Sequence, residues 1–259
     1  MFLVLWRKEL RSKYKVQSTK YKVQRTKYKS QIKNQKPAIL MDTHRHLDDE
    51  LSSLRDRVLL LGGEAEQALE RAMYALGERD SEVAHQVLEN DDRVDHLEVE
   101  IDRQCIDIIA LRQPAARDLR FVISVAKMAP VLERIADHAC NIARAAIDLN
   151  NEPELKSVLD LRRMADHALE MLRAALDAFT SNDAQAAREI IKSDRAINDL
   201  YNHTFHHLIE MMVSEPATAT RDARLLFVAK HLERIGDYVT DICELTVYMA
   251  EAAFIKHSN

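Results

Sequence analysis

From position 47 onward the apolar residues keep helical time. Leu47, Leu51, Leu54, Val58, Leu61, Ala65, Ala68 and Ala72 advance alternately by four and three. That spacing lays all eight on one stripe of an α-helix, a bundle seam more than ~30 Å long at about 1.5 Å per residue. Composition agrees with the pattern. Four glycines and five prolines in 259 residues leave little for hairpins or β-turns, while Ala, Leu, Glu and Arg abound, so the chain reads as all-α.

Punctuation divides it into six long antiparallel helices. The first is predicted over 44–77, where "GERDS" breaks it, and the second over 81–112, with Val87, Val94, Leu97, Ile101 and Ile108 inward. "RQPAARD" then turns the chain at Pro114 into a third helix, 115–150, which Pro130 should kink or loosen. After "NNEP", whose Pro153 suits a helix first turn, the programme repeats over 154–180, 183–213 and 217–255. The expectation is two tandem three-helix bundles, 41–150 and 151–259.

Charge separates off the beginning. Residues 1–40 hold twelve Lys and Arg against Glu9, a net +11, so the overall −5 leaves −16 on residues 41–259. The basic part contains a seven-residue tandem repeat from Lys13 to Lys33 ("KYKVQST", "KYKVQRT", "KYKSQIK"). It reads as a low-complexity extension, either disordered or an artefact of start-site choice with Met41 as the start, and its functional alternative is an arm for phosphates of nucleic acid or membrane. No run of eighteen apolar residues exists, and "MFLVLW" is too short to span a bilayer, so a soluble, cytoplasmic protein is expected. Cys105, Cys140 and Cys243, odd in number and on apolar faces, read as small core residues in a reducing compartment.

The chain also echoes itself. "VLERIADHACNIA" at 131–143 returns as "HLERIGDYVTDIC" at 231–243. If the second and third helices fold back about Pro114, residues equally far from it stand level: Asp95 with Glu133, nineteen positions away on either side, and Asp91 with Asp137, twenty-three away. Asp91 and Asp95 share one helix face, Glu133 and Asp137 another, and Glu98 and Asp102 extend the first. Facing carboxylates beside a seam repel as water leaves. Arginines such as Arg93, Arg103 and Arg134, a proton held at raised pKa, or a bound cation could offset this. With all-carboxylate ligation, no nearby cysteine expected, and His96 and His138 only as possible helpers, the ion would be Mg, Mn, Ca or Fe, with Zn permitted. The plain alternative is a solvated flank with surface ion pairs.

"HLDDEL" (46–51), "LRQPAARDLR" (111–120) and the doubled "LERIAD"/"LERIGD" together resemble the PhoU family of phosphate-uptake regulators, over essentially residues 44–255. The resemblance implies the tandem bundles read above, a homodimer, and carboxylate-bound Fe, Zn, Mg or Mn through E/D-x-x-x-D motifs. Here those motifs fall on Asp91 and Asp95, Glu133 and Asp137, and Glu233 and Asp237. The second half departs from the pattern: Asp194 matches Asp91, but Asn198, Tyr201 and Phe205 replace Asp95, Glu98 and Asp102, while Asp241 and Glu244 extend the last helix. A weaker or differently built second site is expected.

The resemblance further implies a negative regulator of high-affinity phosphate import and the phosphate-starvation response. Its partners would be the ATPase subunit of the phosphate ABC transporter and the sensor histidine kinase of the phosphate two-component system, with no direct nucleic-acid contact and membrane association only through partners. No activated nucleophile, phosphate-cradling glycine loop or Rossmann fingerprint occurs, so catalysis is not indicated. Two alternatives stand beside the regulator: a structural bundle without metal, and a ferritin-like di-iron carboxylate enzyme, which needs two Glu-x-x-His pairs where only Glu82–His85 fits. His203, His206 and His207 could supply nitrogen ligands but read first as exposed or capping residues, and Arg134 and Arg234 as partners in surface or inter-bundle ion pairs. Gly236 reads as a close-packing position, and Met211, Met212 and Met249 as apolar filler.

Overall fold

Leu54, Val58, Leu61, Ala65 and Ala72 of the first stripe are fully buried in the computed structural model, which describes residues 43–153 and 159–255. They lie on α1 (Thr43–Glu78). The chain continues through α2 (Ser81–Glu89), α3 (Asp91–Arg112), α4 (Ala116–Asn150), α5 (Leu159–Ser181), α6 (Ala184–Ser193) and α7 (Arg195–Ser214). A single 3-10 turn, Pro216–Thr218, then leads into α8 (Ala219–Glu251). The architecture is all-α, with no strand among the described residues. The basic extension and the expected start of the fourth helix at 154 lie outside those residues.

Both halves begin their second helix with the same device. Arg79 (φ 57°) and Asn182 (φ 55°) take the left-handed conformation, and the following Asp80 and Asp183 cap the new helix. Asp80 accepts from the backbone N–H groups of Glu82 and Val83 at 3.1 and 3.2 Å; Asp183 accepts from those of Gln185 and Ala186 at 3.0 and 2.9 Å. Each cap satisfies otherwise orphaned donors. The left-handed turn is costly at Arg79, and its guanidinium offsets that cost by donating to the carbonyls of Asn150, at 2.7 Å, and Glu152.

The second and fifth helices, expected to be continuous, are each interrupted. The break after α2 falls at Asn90, whose N–H reaches back three residues to Val87 at 3.3 Å. Its side chain donates to the buried Glu64 of α1 at 3.1 Å, and Arg93 pairs with the same glutamate at 2.8 Å. The break after α6 falls at Asp194, itself 1% exposed. Neither site carries glycine or proline, so the breaks answer to partners on other helices. By contrast α4 runs unbroken through Pro130.

α4 and α8 form the centre. α4 packs against α2, α3 and α8, while α8 packs against α4, α5, α6 and α7. The central pair is antiparallel, since His138 meets His231 while Asp148, farther along α4, meets Arg224, farther back on α8. Leu132, Ile135, Ile142, Leu232, Ile235 and Ile242 are all fully buried there. A second junction joins α1 to α5, where Arg173 bridges Glu66 and Glu70. All three cysteines are buried and free.

Candidate functional site

α3 and α4 fold back about Gln113 (φ 49°) and Pro114, and the motif acids of the two helices come near enough to act on one another, Glu133 with Asp95 and Glu98 and Asp137 with Asp91 and Asp95. Glu133 is half-buried. Burial, then the charges of Asp137, Asp95 and Glu98, push its carboxyl up to about 7, with Arg134 easing it only in part. Asp137 is raised first by burial, then by Asp91 and Asp95, against a hydrogen bond with Glu133 and the charge of Arg144. Glu98 is raised by burial and by Asp102 and Asp95.

Side-chain cations are scarce on this face. Among the described residues none of Asp91, Asp95, Glu98, Glu133 and Asp137 forms an ion pair with Lys or Arg. Arg93, expected as a counter-charge, pairs with Glu64 instead. Contrary to the expectation of no nearby cysteine, Cys140, one turn beyond the motif on α4, reaches the face: Asp91 accepts from its thiol at 3.3 Å, and burial followed by that carboxylate pushes the thiol pKa up. Neither expected nitrogen donor faces the acids: His96 bonds the Asp92 carbonyl of its own helix, and His138 is bound to His231.

The face fits a hard cation in donor type and in an acid charge that Arg134 and Arg144 ease only in part. It is not closed around one point: no group of three or more His, Cys, Asp or Glu among the described residues is gathered closely enough to hold a metal ion. The set is therefore a pair of facing carboxylate stripes, which would have to turn inward to coordinate.

The second half handles the same problem with its own cations. Lys230 pairs with Glu233 at 2.6 Å and lies over the Tyr201 ring, 5.1 Å from its centroid. Arg234 pairs with Asp237 at 2.9 Å. Three residues before Glu133 the first half has Pro130 where the second has Lys230. Asp241 is raised by burial, Glu244 and Asp237, and eased by Arg234 and by Arg134 from α4. Asp194 is turned inward: Asn198 donates to one carboxylate oxygen at 2.8 Å, and the other would stand 2.7 Å from a Cβ at position 236. Gly236 thus packs α8 against α7 as its sequence position implied, and Asp194 belongs to that packing.

Reading the sequence missed the crossing of α4 and α8. His138 and His231 place their Nδ1 atoms 2.8 Å apart, one ring donating to the other, with Tyr238 against His138 at 5.5 Å between centroids. Burial, His231 and Arg234 lower His138 to about 4, and burial lowers His231. The available signal was that His138 and Tyr238 occupy the same place in the two motif copies. Glu82 and His85, the one Glu-x-x-His pair, are both exposed on α2.

Comparison with known proteins bears on both halves. The PhoU domain model matches residues 58–146 and 161–246. The phosphate-specific transport system accessory protein PhoU homolog of Pseudomonas aeruginosa is 34% identical over 223 residues, 86% of this chain and 92% of that protein. The accessory protein PhoU of Escherichia coli is 36% identical over 208 residues, 80% of this chain and 86% of its own length. The crystal structure of PhoU from Pseudomonas aeruginosa superposes with a TM-score of 0.77 at 36% identity, covering 80% of this chain and 99% of that one. The phosphate transport system regulatory protein PhoU from Streptococcus pneumoniae does so at 0.76 and 30% identity, covering 82% and 100%.

Proposed function

Because the chain belongs to the PhoU family, we propose that it is a cytoplasmic accessory protein of phosphate transport that restrains high-affinity uptake and the phosphate-starvation response. The observation that carries this reading is the match of both repeats to relatives named as accessory proteins of phosphate-specific transport, at 34–36% identity over most of the chain. It acts by contact, on the ATPase subunit of the phosphate ABC transporter and on the sensor histidine kinase, as a homodimer. Exposed apolar side chains support a contact role: Ile106, Leu111, Val213 and Phe227 are 57–76% exposed on otherwise packed helices. Among the described residues no helix is long and apolar enough to cross a membrane.

Asp91, Asp95, Glu98, Glu133 and Asp137 would hold the principal cation, Fe, Zn, Mg or Mn. Bound there, the ion supplies the positive charge that this face lacks. The residues themselves orient oxygens from two helices, and a cation there offsets the carboxylate repulsion that raises Glu133 and Asp137. Glu233, Asp237 and Asp241 form the lesser site, already opposed by Lys230 and Arg234.

The test is deletion of the gene in its host, with a phosphate-regulon reporter read at high phosphate. Constitutive expression, reversed by restoring the gene, is expected. An unchanged reporter would contradict the regulatory reading.

A further inference from the structure

The outward face of α7 carries His203, His206 and His207, all exposed. The three are not equivalent. His203 places Nδ1 3.0 Å from Oδ2 of Asp160 on α5, with the histidine 72% and the aspartate 26% exposed. The other oxygen of Asp160 takes Arg163 at 3.4 Å. His206 is committed to Phe205, its ring edge-on at 5.6 Å.

A carboxylate that accepts the Nδ1 proton fixes the tautomer of an imidazole. The proton stays on Nδ1, and the lone pair of Nε2 is left toward solvent as a ligand. His207 stands one helical turn beyond His203 on the same face, the i, i+4 spacing at which two helical histidines share one ion. Asp199, one turn before His203, and Glu210, three residues after His207, are exposed on the same helix and favour a cation locally.

We propose that His203 and His207 form a two-imidazole surface site for a divalent ion of borderline softness, Cu(II), Ni(II) or Zn(II). Asp160 is the positioning residue, and water completes the coordination. Two protein ligands suffice, which agrees with the absence of any three-residue group among the described residues. The site is separate from the carboxylates of α3 and α4 and does not depend on the regulatory reading. The two differ in donor atom, nitrogen here and oxygen there.

The test adds Cu(II) to the metal-free full chain and reads nitrogen superhyperfine structure by electron paramagnetic resonance. Wild-type protein should show two coordinated imidazoles. His203→Ala and His207→Ala should each lose the two-nitrogen pattern, whereas Glu133→Ala with Asp137→Ala should keep it. Asp160→Asn should retain the pattern but bind about tenfold more weakly. All of these positions reach solvent, and helix content by circular dichroism verifies the fold of each variant. Oxygen-only ligation in the wild type, or a nitrogen pattern that survives His203→Ala with His207→Ala, overturns the site. Unchanged affinity in Asp160→Asn overturns the positioning role.

Discussion

At the scale of single residues, what separates the two motif copies is the company each acid keeps. Glu133 and Asp137 meet other carboxylates, which together with burial raise both, while Glu233 and Asp237 meet Lys230 and Arg234. Removing the first pair takes away ligands without a competing cation; removing the second dismantles ion pairs. Glu133→Ala with Asp137→Ala should therefore lower bound metal more than Glu233→Ala with Asp237→Ala, as measured by elemental analysis of purified protein. The reverse order would remove the first face as principal site. Gly236 makes a second case. A Cβ there would stand 2.7 Å from Oδ1 of Asp194 and 3.0 Å from Cδ1 of Ile197. Overpacking costs about 1–3 kcal/mol, against roughly 1 kcal/mol gained from alanine's helix propensity. Gly236→Ala should thus be destabilising by up to about 2 kcal/mol, seen as a drop of a few degrees in melting temperature. A melting point at or above the wild type would show that Asp194 can move aside.

At the scale of elements, the contact between α4 and α8 is held at its crossing by two neutral imidazoles. The groups facing them are each other, the Tyr238 ring and the Arg234 guanidinium. His138 falls to about 4 in the folded protein from an ordinary 6.5, so between those values the unfolded chain binds more protons. Its contribution is complete above about 6.5 and is lost as the pH falls toward 4. Denaturant titrations at pH 7 and pH 5 should show the wild type losing more stability over that interval than His138→Phe. Equal losses would mean that the pair does not couple folding to pH. Helix interruptions belong to this scale too. Asn90 and Asp194 break helices whose periodicity continues past them, since Glu64 on α1 and Gly236 on α8 supply the partners that stabilise the break.

Across the whole molecule, the halves share a core. α4 and α8 cover one another's apolar faces, and Arg173 ties α5 to Glu66 and Glu70 of α1. A fragment ending at Glu152 would leave Leu132, Ile135 and Ile142 of α4 without the cover of α8. Such a fragment should retain helix but lose fixed packing or self-associate, read as far-UV signal without near-UV signal, or as a dimer by light scattering. A monomeric fragment with sharp near-UV bands would show that each half folds by itself.

The sequence by itself determined the all-α class, the buried stripe, the hairpin about Pro114 and the approach of Asp91 and Asp95 to Glu133 and Asp137. Each follows from periodicities and symmetric counts that a local rule can read. Family membership was legible for the same reason, in motifs that are contiguous strings. Only the tertiary structure decided that Arg93 pairs with Glu64, outside the acid face, that Asp194 turns inward against Gly236, and that His138 meets His231. These outcomes depend on distances between side chains far apart in the chain, where charge and hydrogen bonding act through space and no local period records them.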